Sequence, residues 1–172
     1  RDVDAAINFV KSKGFKKIGL LAQSFGGGPI VLSAERNQDS VKALALWASN
    51  IDYEATLNAD LPWPKKYFGP EAMKKLEPQG FVEVGSRKFR LGKKFFEESK
   101  TVTPYKILKN LKIPALFVHG KKDEYISYTL ALKYSKAIGA KCIIVENGGH
   151  GDDEFLKEAI KPTLEFFQKN LK

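Results

Sequence analysis

The 172-residue sequence has little of the residue types that define several whole classes of protein. One cysteine cannot form an intrachain disulfide, so disulfide-stabilised folds are excluded, and Cys142 is predicted to be a buried apolar residue in a strand. No apolar run approaches the roughly 18 residues that a membrane-spanning helix needs. The first residues, Arg1 to Asp4, resemble neither a signal peptide nor a transit peptide. With 43% hydrophobic and 28% charged residues, the composition predicts one globular domain, and we expect a cytoplasmic protein.

The sequence also lacks the patterns that would give its positive charge or its histidines a specific partner. The net charge is +9, but the lysines occur mostly as scattered pairs, and no helix-turn-helix, zinc-finger or RNP-like pattern is present. This distribution is typical of a solvated surface, so we expect no nucleic-acid partner. The 2 histidines and 1 cysteine offer no recognisable ligand spacing, so we expect no metal site, and we expect no other cofactor.

Apolar runs and helical periodicity alternate along most of the chain. Short apolar runs without alternation are typical of parallel strands that are covered on both faces, and they occur at Ile18–Ala22, Val41–Ala48, Ala115–Val118 and Lys141–Val145. Helices are predicted at Asp2–Lys13, Pro29–Arg36, Ser127–Ile138 and Asp152–Leu171. Pro162 predicts a kink or a break of the last helix near Lys161. This alternation predicts an α/β chain with a parallel sheet.

The interval from residue 50 to residue 111 breaks the alternation. It has several prolines and many aromatic residues, and two extended runs around Gly85-Ser86 predict a hairpin with a two-residue type II′ turn. An insertion of this length between two core strands is usually a lid or a binding loop. We therefore predict a core made of residues 1–49 and 112–172, with a cap insertion at residues 50–111.

The strongest chemical signal lies directly after the first strand, in Ala22-Gln23-Ser24-Phe25-Gly26-Gly27. A serine between small residues on a sharp strand-to-helix turn has a strained backbone that holds its hydroxyl above the sheet. The N-terminus of the following helix favours a developing anion, toward which the N–H of Phe25 would point. The alternatives are a glycine-rich helix cap or a phosphate-binding loop, although neither common phosphate motif is complete here.

Two further signals follow later strands. Asp123 comes shortly after a strand that ends in His119-Gly120, although such an aspartate is often only a turn residue or a helix cap. His150 lies in a glycine-rich loop just after the last strand, although a single loop histidine is often inert. His119 is the competing candidate for a general base, but it ends a strand and is interpreted as structural.

Ser24, Asp123 and His150 occur in the chain order of an α/β-hydrolase triad, each at or just beyond the carboxyl end of a strand. Over essentially its whole length, the chain resembles the C-terminal two thirds of a serine α/β-hydrolase. The segments that carry the resemblance to the nucleophile elbow, the acid loop and the histidine loop are Ala22–Gly27, His119–Asp123 and Gly148–His150. Ala22 departs from the glycine that is more usual in the elbow, but it is still small. The insertion resembles the cap of cinnamoyl (feruloyl) esterase-like hydrolases.

The resemblance implies a serine hydrolase that cleaves carboxylic esters through an acyl-enzyme. In this mechanism Ser24 is the nucleophile, His150 is the general base and then the general acid, and Asp123 orients the imidazole. The N–H of Phe25 is one donor of the oxyanion hole. An aminopeptidase or acyl-peptide hydrolase of the same fold is an alternative, because esters and amides share this chemistry, and a non-catalytic hydrolase-fold scaffold is another. The expected partner is a small-molecule ester or a peptide.

The resemblance also implies strands that come before the elbow. In the family, one of these strands pairs with the elbow strand, and a loop after an early strand supplies the second oxyanion donor. Only one predicted helix precedes Ile18 in this sequence. We therefore expect that the functional protein includes an N-terminal segment of several strands, either in the same chain or as another polypeptide. We also expect Ile18–Ala22 to lie at an open, apolar edge of the sheet.

Overall fold

The computed structural model describes all 172 residues, and its strands are β1 (Ile18–Gln23), β2 (Val41–Trp47), β3 (Phe81–Val84), β4 (Phe89–Gly92), β5 (Ala115–Gly120) and β6 (Lys141–Val145). Four of them form one parallel sheet in the order β1-β2-β5-β6, and β3 pairs with β4 in a separate antiparallel hairpin. The predicted α/β chain with a parallel sheet is confirmed. All four predicted core strands are present, with ends that differ by at most two residues from the predicted ones.

The helices are α1 (Asp2–Ser12), α2 (Gly27–Arg36), α3 (Tyr53–Leu57), α4 (Pro62–Phe68), α5 (Pro70–Met73), α6 (Leu76–Gln79), α7 (Lys93–Thr101), α8 (Pro104–Leu108), α9 (Tyr128–Ala137) and α10 (Asp153–Asn170). The four predicted helices are α1, α2, α9 and α10. Helix α2 begins two residues before the predicted Pro29. A proline is tolerated there because the first amides of a helix have no acceptor within it. No helix in the structure is long and apolar enough to cross a lipid bilayer.

The sheet has an apolar core on each face. On one face, side chains of β1, β2 and β5 pack against α1, α2, α8 and α9 in a cluster of 15 buried residues. On the other face, a smaller cluster of 6 buried residues joins β2, β5 and β6 to α10 alone. The larger cluster includes Leu108 of α8, so the end of the insertion packs into the main core. The carboxyl ends of the four strands consequently lie along one rigid edge, which is where open parallel sheets bind ligands.

Helix α10 runs without interruption through Pro162, so the break expected near Lys161 as one of two alternatives is absent, and the other, a kink, stays a prediction. Its buried face, Phe155, Ala159 and Thr163, recurs every fourth residue and packs on the sheet on both sides of the proline. The Thr163 hydroxyl donates to the Ala159 carbonyl at 2.7 Å and accepts from the indole N–H of Trp47 at 2.9 Å. These contacts hold the helix on the sheet although Pro162 cannot donate a backbone hydrogen bond.

The two edge strands are less covered than their apolar sequences predict. Leu21 in β1 is 45% exposed, so the expectation that this strand is covered on both faces is wrong. The reason is that the buried cluster beneath α10 joins it to β2, β5 and β6, and α10 reaches β1 through Phe167 at Gly19, while β1 forms the edge of the sheet as expected. Cys142 lies in β6 as predicted, but it is half-buried because β6 is the opposite edge.

The insertion is mostly short helices with one hairpin. The predicted hairpin is confirmed, but the prediction of a two-residue turn is wrong. Val84 pairs with Phe89, so four residues from Gly85 to Lys88 connect the strands. Gly85 and Lys88 both have positive φ values, +70° and +51°, which a two-residue turn cannot account for. A small apolar cluster within the insertion is built on Leu76, Val82 and Val84 together with aromatic residues of α4 and α7. The division into core and cap stays a prediction.

Candidate active site

Ser24 lies on a tight turn between β1 and α2, at the carboxyl end of the sheet. Its backbone is in the left-handed region, with φ of +55°, which is strained for a residue with a side chain. Cβ of Ala22 faces Gly26, on which a side-chain carbon would lie at a tight 3.3 Å from it, so alanine fits at position 22 because the residue opposite has no side chain. The sharp turn predicted from the small residues around the serine is therefore present.

Residues just after β2 hold this turn in place, and nothing in the sequence predicted this role for them. The hydroxyl of Ser49 donates to the carbonyl of Ala22 at 3.0 Å, and the N–H of Asn50 donates to the carbonyl of Ser24 at 2.8 Å. A side-chain carbon on Gly27 would lie only 2.5 Å from Cβ of Ser49. The strained serine backbone is thus fixed by the neighbouring strand, and no local sequence pattern marks Ser49 or Asn50 for that role.

The structure brings together Ser24, His150 and Asp123, which come from three separate loops. Nε2 of His150 lies 2.8 Å from Oγ of Ser24, and Nδ1 of the same ring lies 2.7 Å from Oδ2 of Asp123. Because a carboxylate oxygen only accepts, Nδ1 carries a proton, and Nε2 of the neutral ring is free to accept from the serine hydroxyl. The arrangement can therefore take a proton from Ser24 and hold the resulting cation beside a carboxylate.

Asp123 is fully buried and saturated with hydrogen-bond donors. Its Oδ1 accepts from the N–H groups of Tyr125 and Ile126 at 2.8 and 3.0 Å, and its Oδ2 faces His150. Burial raises the pKa of Asp123, but the hydrogen bonds from His119 and His150 outweigh it and hold the pKa well below the usual range. The carboxylate is consequently ionised at neutral pH.

His119 contacts the same carboxylate from inside the core. It is 1% exposed, and its Nε2 lies 3.1 Å from Oδ2 of Asp123 and 2.9 Å from the carbonyl of Ile126. Both neighbours are acceptors, so Nε2 carries the proton and cannot act as a base. The structural interpretation of His119 is consistent with this geometry, but the sequence analysis missed that its partner is Asp123.

The loops that carry Asp123 and His150 are packed backbone to backbone. The backbone N–H of Lys122 donates to the carbonyl of Gly148 at 2.9 Å, and the backbone N–H of Lys121 donates to the carbonyl of Val145 at 2.9 Å. A side-chain carbon on Gly120 would lie 2.2 Å from the carbonyl oxygen of Gly149, so only glycine fits there. The histidine loop is also joined to the elbow, since the Gln23 amide donates to the His150 carbonyl at 3.2 Å.

Aromatic side chains form a circuit of ring contacts that runs from Phe25, the residue after Ser24, to His150. Starting beside Ser24 and ending at His150, successive ring centroids lie 4.7 to 6.1 Å apart along Phe25, Phe95, Phe96, Phe68, Trp63, Tyr125 and His150. Tyr53 stacks on Phe25 at 5.2 Å, and burial raises the pKa of Tyr53 to about 12, so its phenol is neutral. Most of these rings belong to the insertion, where the sequence shows only an abundance of aromatics.

The backbone N–H of Phe25 lies at the N-terminal side of α2, next to the strained serine, while its side chain is 52% exposed. Its place in the turn is the one the sequence analysis predicts for an oxyanion donor, and that role stays a prediction. No group of three or more His, Cys, Asp or Glu side chains is arranged to hold a metal ion.

Comparison with solved structures identifies chains of similar fold. Est1E from Butyrivibrio proteoclasticus superposes with a TM-score of 0.76 at 20% identity, over 97% of this chain and 67% of that one. The esterase domain of a Rhodothermus marinus protein superposes with a TM-score of 0.71 at 18% identity, over 99% of this chain and 69% of that one. An acylaminoacyl peptidase from Pyrococcus horikoshii superposes with a TM-score of 0.63 at 20% identity, over 92% of this chain but only 25% of the peptidase chain.

These likenesses, together with those to structures described as α/β hydrolases, show that the chain has the α/β-hydrolase fold. The chain spans about two thirds of the length of Est1E and of the Rhodothermus esterase domain. No protein-family model and no curated protein sequence matches it.

Proposed function

We propose that this chain, which has the α/β-hydrolase fold, provides the active site of a serine hydrolase that cleaves carboxylic esters through an acyl-enzyme. One observation carries the proposal: an unbroken hydrogen-bonded path joins Ser24 to His150 at 2.8 Å and His150 to Asp123 at 2.7 Å. The path lies at the carboxyl edge of the sheet, and its serine has the strained backbone of an exposed nucleophile.

In the proposed reaction, Oγ of Ser24 attacks the ester carbonyl carbon while its proton passes to Nε2 of His150. The carbonyl electron pair moves to oxygen, where the N–H of Phe25 donates a hydrogen bond. Collapse of this intermediate breaks the ester bond, and the leaving alcohol takes the proton from Nε2. Water then repeats the sequence on the acyl-serine, and a carboxylic acid leaves. Asp123 stays ionised throughout and stabilises the imidazolium.

The aromatic circuit supports an ester with a planar, apolar acyl group. Phe25 follows the serine directly in the chain, and Phe95 and Trp63 belong to the same circuit of rings, whose apolar surfaces favour packing of an aromatic acid. One similar structure is described as Est1E with ferulic acid bound, at 19% identity and a TM-score of 0.78. We therefore include feruloyl-type esters in the proposal. The second candidate is peptide hydrolysis, which the likeness to an acylaminoacyl peptidase favours.

The decisive variant is Ser24→Ala, compared with Ser86→Ala in the exposed hairpin turn. We expect Ser24→Ala to lower the hydrolysis of p-nitrophenyl and feruloyl esters by about a million-fold, to background, because no other group can form the acyl-enzyme. Labelling by a fluorophosphonate probe should disappear with it, while Ser86→Ala keeps both. Equal activity of Ser24→Ala and the parent protein contradicts the proposal.

A substrate panel separates the remaining alternatives. Short acyl esters, aromatic acyl esters and aminoacyl-naphthylamides are assayed on the same preparation. Faster turnover of the amides than of both ester classes favours the peptidase. A protein that neither labels nor turns over any substrate is a binding scaffold, which is the outcome that ends the hydrolase proposal.

A further inference from the structure

Tyr125 contacts both the acid and the base of the site. Its ring stacks on the imidazole of His150, with centroids 4.7 Å apart and planes inclined by 25°. Its backbone N–H donates to Oδ1 of Asp123 at 2.8 Å, on the carboxylate whose other oxygen binds the same imidazole. Tyr125 therefore fixes the carboxylate through its main chain and covers one face of the imidazole with its side chain.

The insertion holds the Tyr125 ring from the other side. The Trp63 ring in α4 lies 5.5 Å from that of Tyr125, inclined by 34°, so the phenol ring is placed between an indole and an imidazole. The N–H of Trp63 also donates to the carbonyl of Glu124 at 3.2 Å. Helix α4 thus contacts the acid loop twice through Trp63. The backbone of Trp63 binds Glu124, and its side chain packs on Tyr125.

Tyr125 is partly buried, with 42% of its surface exposed. Beyond the apolar area that this burial removes from water, a ring face beside a cation attracts it electrostatically. The charged or titratable groups that face His150 are Asp123, the Tyr125 phenol and, through a hydroxyl, Ser24. His119 reaches the ring only through Asp123, and Asp152 binds the backbone of Gly149. The Tyr125 ring is therefore the one aromatic face against this imidazole.

We infer that Tyr125 is a positioning residue for the base: its ring orients the imidazole of His150 and stabilises the imidazolium, and Trp63 holds that ring in place. The inference rests on the proposed function, in which the proton of Ser24 moves to Nε2 as the Oγ–carbon bond forms. At that moment the cation lies between a carboxylate in its plane and a phenol ring on its face. The position of α4 consequently influences the basicity of the group that activates the serine.

The test compares Tyr125→Phe, Tyr125→Leu and Trp63→Leu in the full-length protein, with Phe89→Leu as the control for loss of an exposed aromatic. The first measurement is the rate of fluorophosphonate labelling of Ser24 as a function of pH. Removing the phenol ring of Tyr125 makes the imidazolium of His150 less stable, so the imidazolium loses its proton at a lower pH. We expect Tyr125→Leu to label about 2- to 5-fold more slowly on the plateau, with the acidic limb about 0.3 to 0.8 pH unit lower. Tyr125→Phe and Phe89→Leu should match the parent protein.

Trp63→Leu should give a smaller change in the same direction and add little in the Tyr125→Leu background, because both act through one ring. A lower plateau with an unshifted acidic limb in Tyr125→Leu overturns the inference, since that is what loosened packing alone produces. Labelling identical to that of the parent overturns it as well.

The second measurement does not depend on activity. An NMR titration of the His150 ring protons should show a midpoint about 0.3 to 0.8 pH unit lower in Tyr125→Leu than in Tyr125→Phe. If the fluorophosphonate probe does not label Ser24 in the parent protein, the proposed function is contradicted. The titration then still decides whether Tyr125 stabilises the imidazolium of His150. An equal midpoint in the two variants overturns it.

Discussion

Asp123 is the residue whose ionisation ties the site to the stability of the fold. Its folded pKa lies below the ordinary value of 3.8, because the donors from His119 and His150 outweigh the effect of burial. A lowered pKa contributes stability at pH values above the ordinary one, and this contribution is lost as the pH falls toward the folded pKa. The site and the fold therefore share one acid-sensitive carboxylate.

The variant Asp123→Asn should lose both activity and pH-dependent stability. We expect kcat to fall about 10,000-fold, because an amide cannot hold the imidazole in the required tautomer or stabilise its cation. The free energy of unfolding should fall at pH 7, and the gap to the parent protein should narrow below about pH 4, where the carboxylate of the unfolded chain begins to protonate.

Urea unfolding at pH 7 and pH 3 measures this gap, and Asp60→Asn is the control because that side chain is 85% exposed. A gap of the same size at both pH values contradicts the assigned role of the Asp123 charge.

Some residues of the site were predictable because their signals are local. Ser24, Asp123 and His150 each follow an apolar strand within a few residues, and parallel strands bring such positions to one edge. His119, Gln23 and Tyr125 were not predictable as partners of that site. Their roles depend on which faces of distant loops pack together, and neither a histidine at a strand end nor a tyrosine after an acidic turn reveals that.

At the scale of elements, the acid loop and the histidine loop behave as one unit. Gly120 ends β5 directly beneath the backbone of Gly148 and Gly149, and both carbonyl oxygens would lie within 2.4 Å of an added side-chain carbon. Backbone atoms cannot swing aside as a flexible side chain can. Any side chain at this position must therefore move the loop that carries His150.

The variant Gly120→Ala is accordingly expected to destabilise the protein by about 1 to 3 kcal/mol, the usual range for an overpacked site. We expect ester hydrolysis to fall at least about 100-fold, because a displacement of about 1 Å is enough to disturb a positioned base. Gly92→Ala is the matched control, since its nearest neighbour would lie at an ordinary 3.6 Å. Thermal unfolding and ester assays measure both effects, and a fully active Gly120→Ala variant would show that the loops are not coupled.

The elements themselves were predictable to different degrees. Periodicity located the core strands and the four long helices, because a buried face or a buried run leaves a regular pattern. The short helices of the insertion, from Tyr53 to Gln79, leave no such pattern. The continuity of α10 through Pro162 depends on Trp47 and Thr163, which lie 116 residues apart in the chain. Local rules for proline cannot include a partner that far away.

At the scale of the whole molecule, the open edge of β1 is the most exposed part of the sheet. Leu21 is 45% exposed there. Soluble proteins usually protect such an edge with charge, proline or another strand. The expected segment of further strands, which would cover this edge, stays a prediction.

The 172-residue chain studied alone should therefore self-associate through β1. We expect Leu21→Lys to weaken this association by about 10-fold or more, because a charged side chain disfavours pairing of apolar edges. Leu132→Lys is the matched control, since Leu132 is 42% exposed but lies on α9, away from the edge. Light scattering across a concentration series measures the effect. Equal association of the two variants would place the contact elsewhere.

The hydrogen bond between Ser24 and His150 joins residues 126 positions apart, and it has a consequence for the newly made chain. During synthesis the serine leaves the ribosome long before the histidine, so a growing chain has an ordinary, unreactive hydroxyl at its elbow. The strands β5 and β6 and both loops must be made and aligned before that hydroxyl meets its base. In the proposed hydrolase, the serine therefore becomes reactive only after the histidine loop has been made and placed.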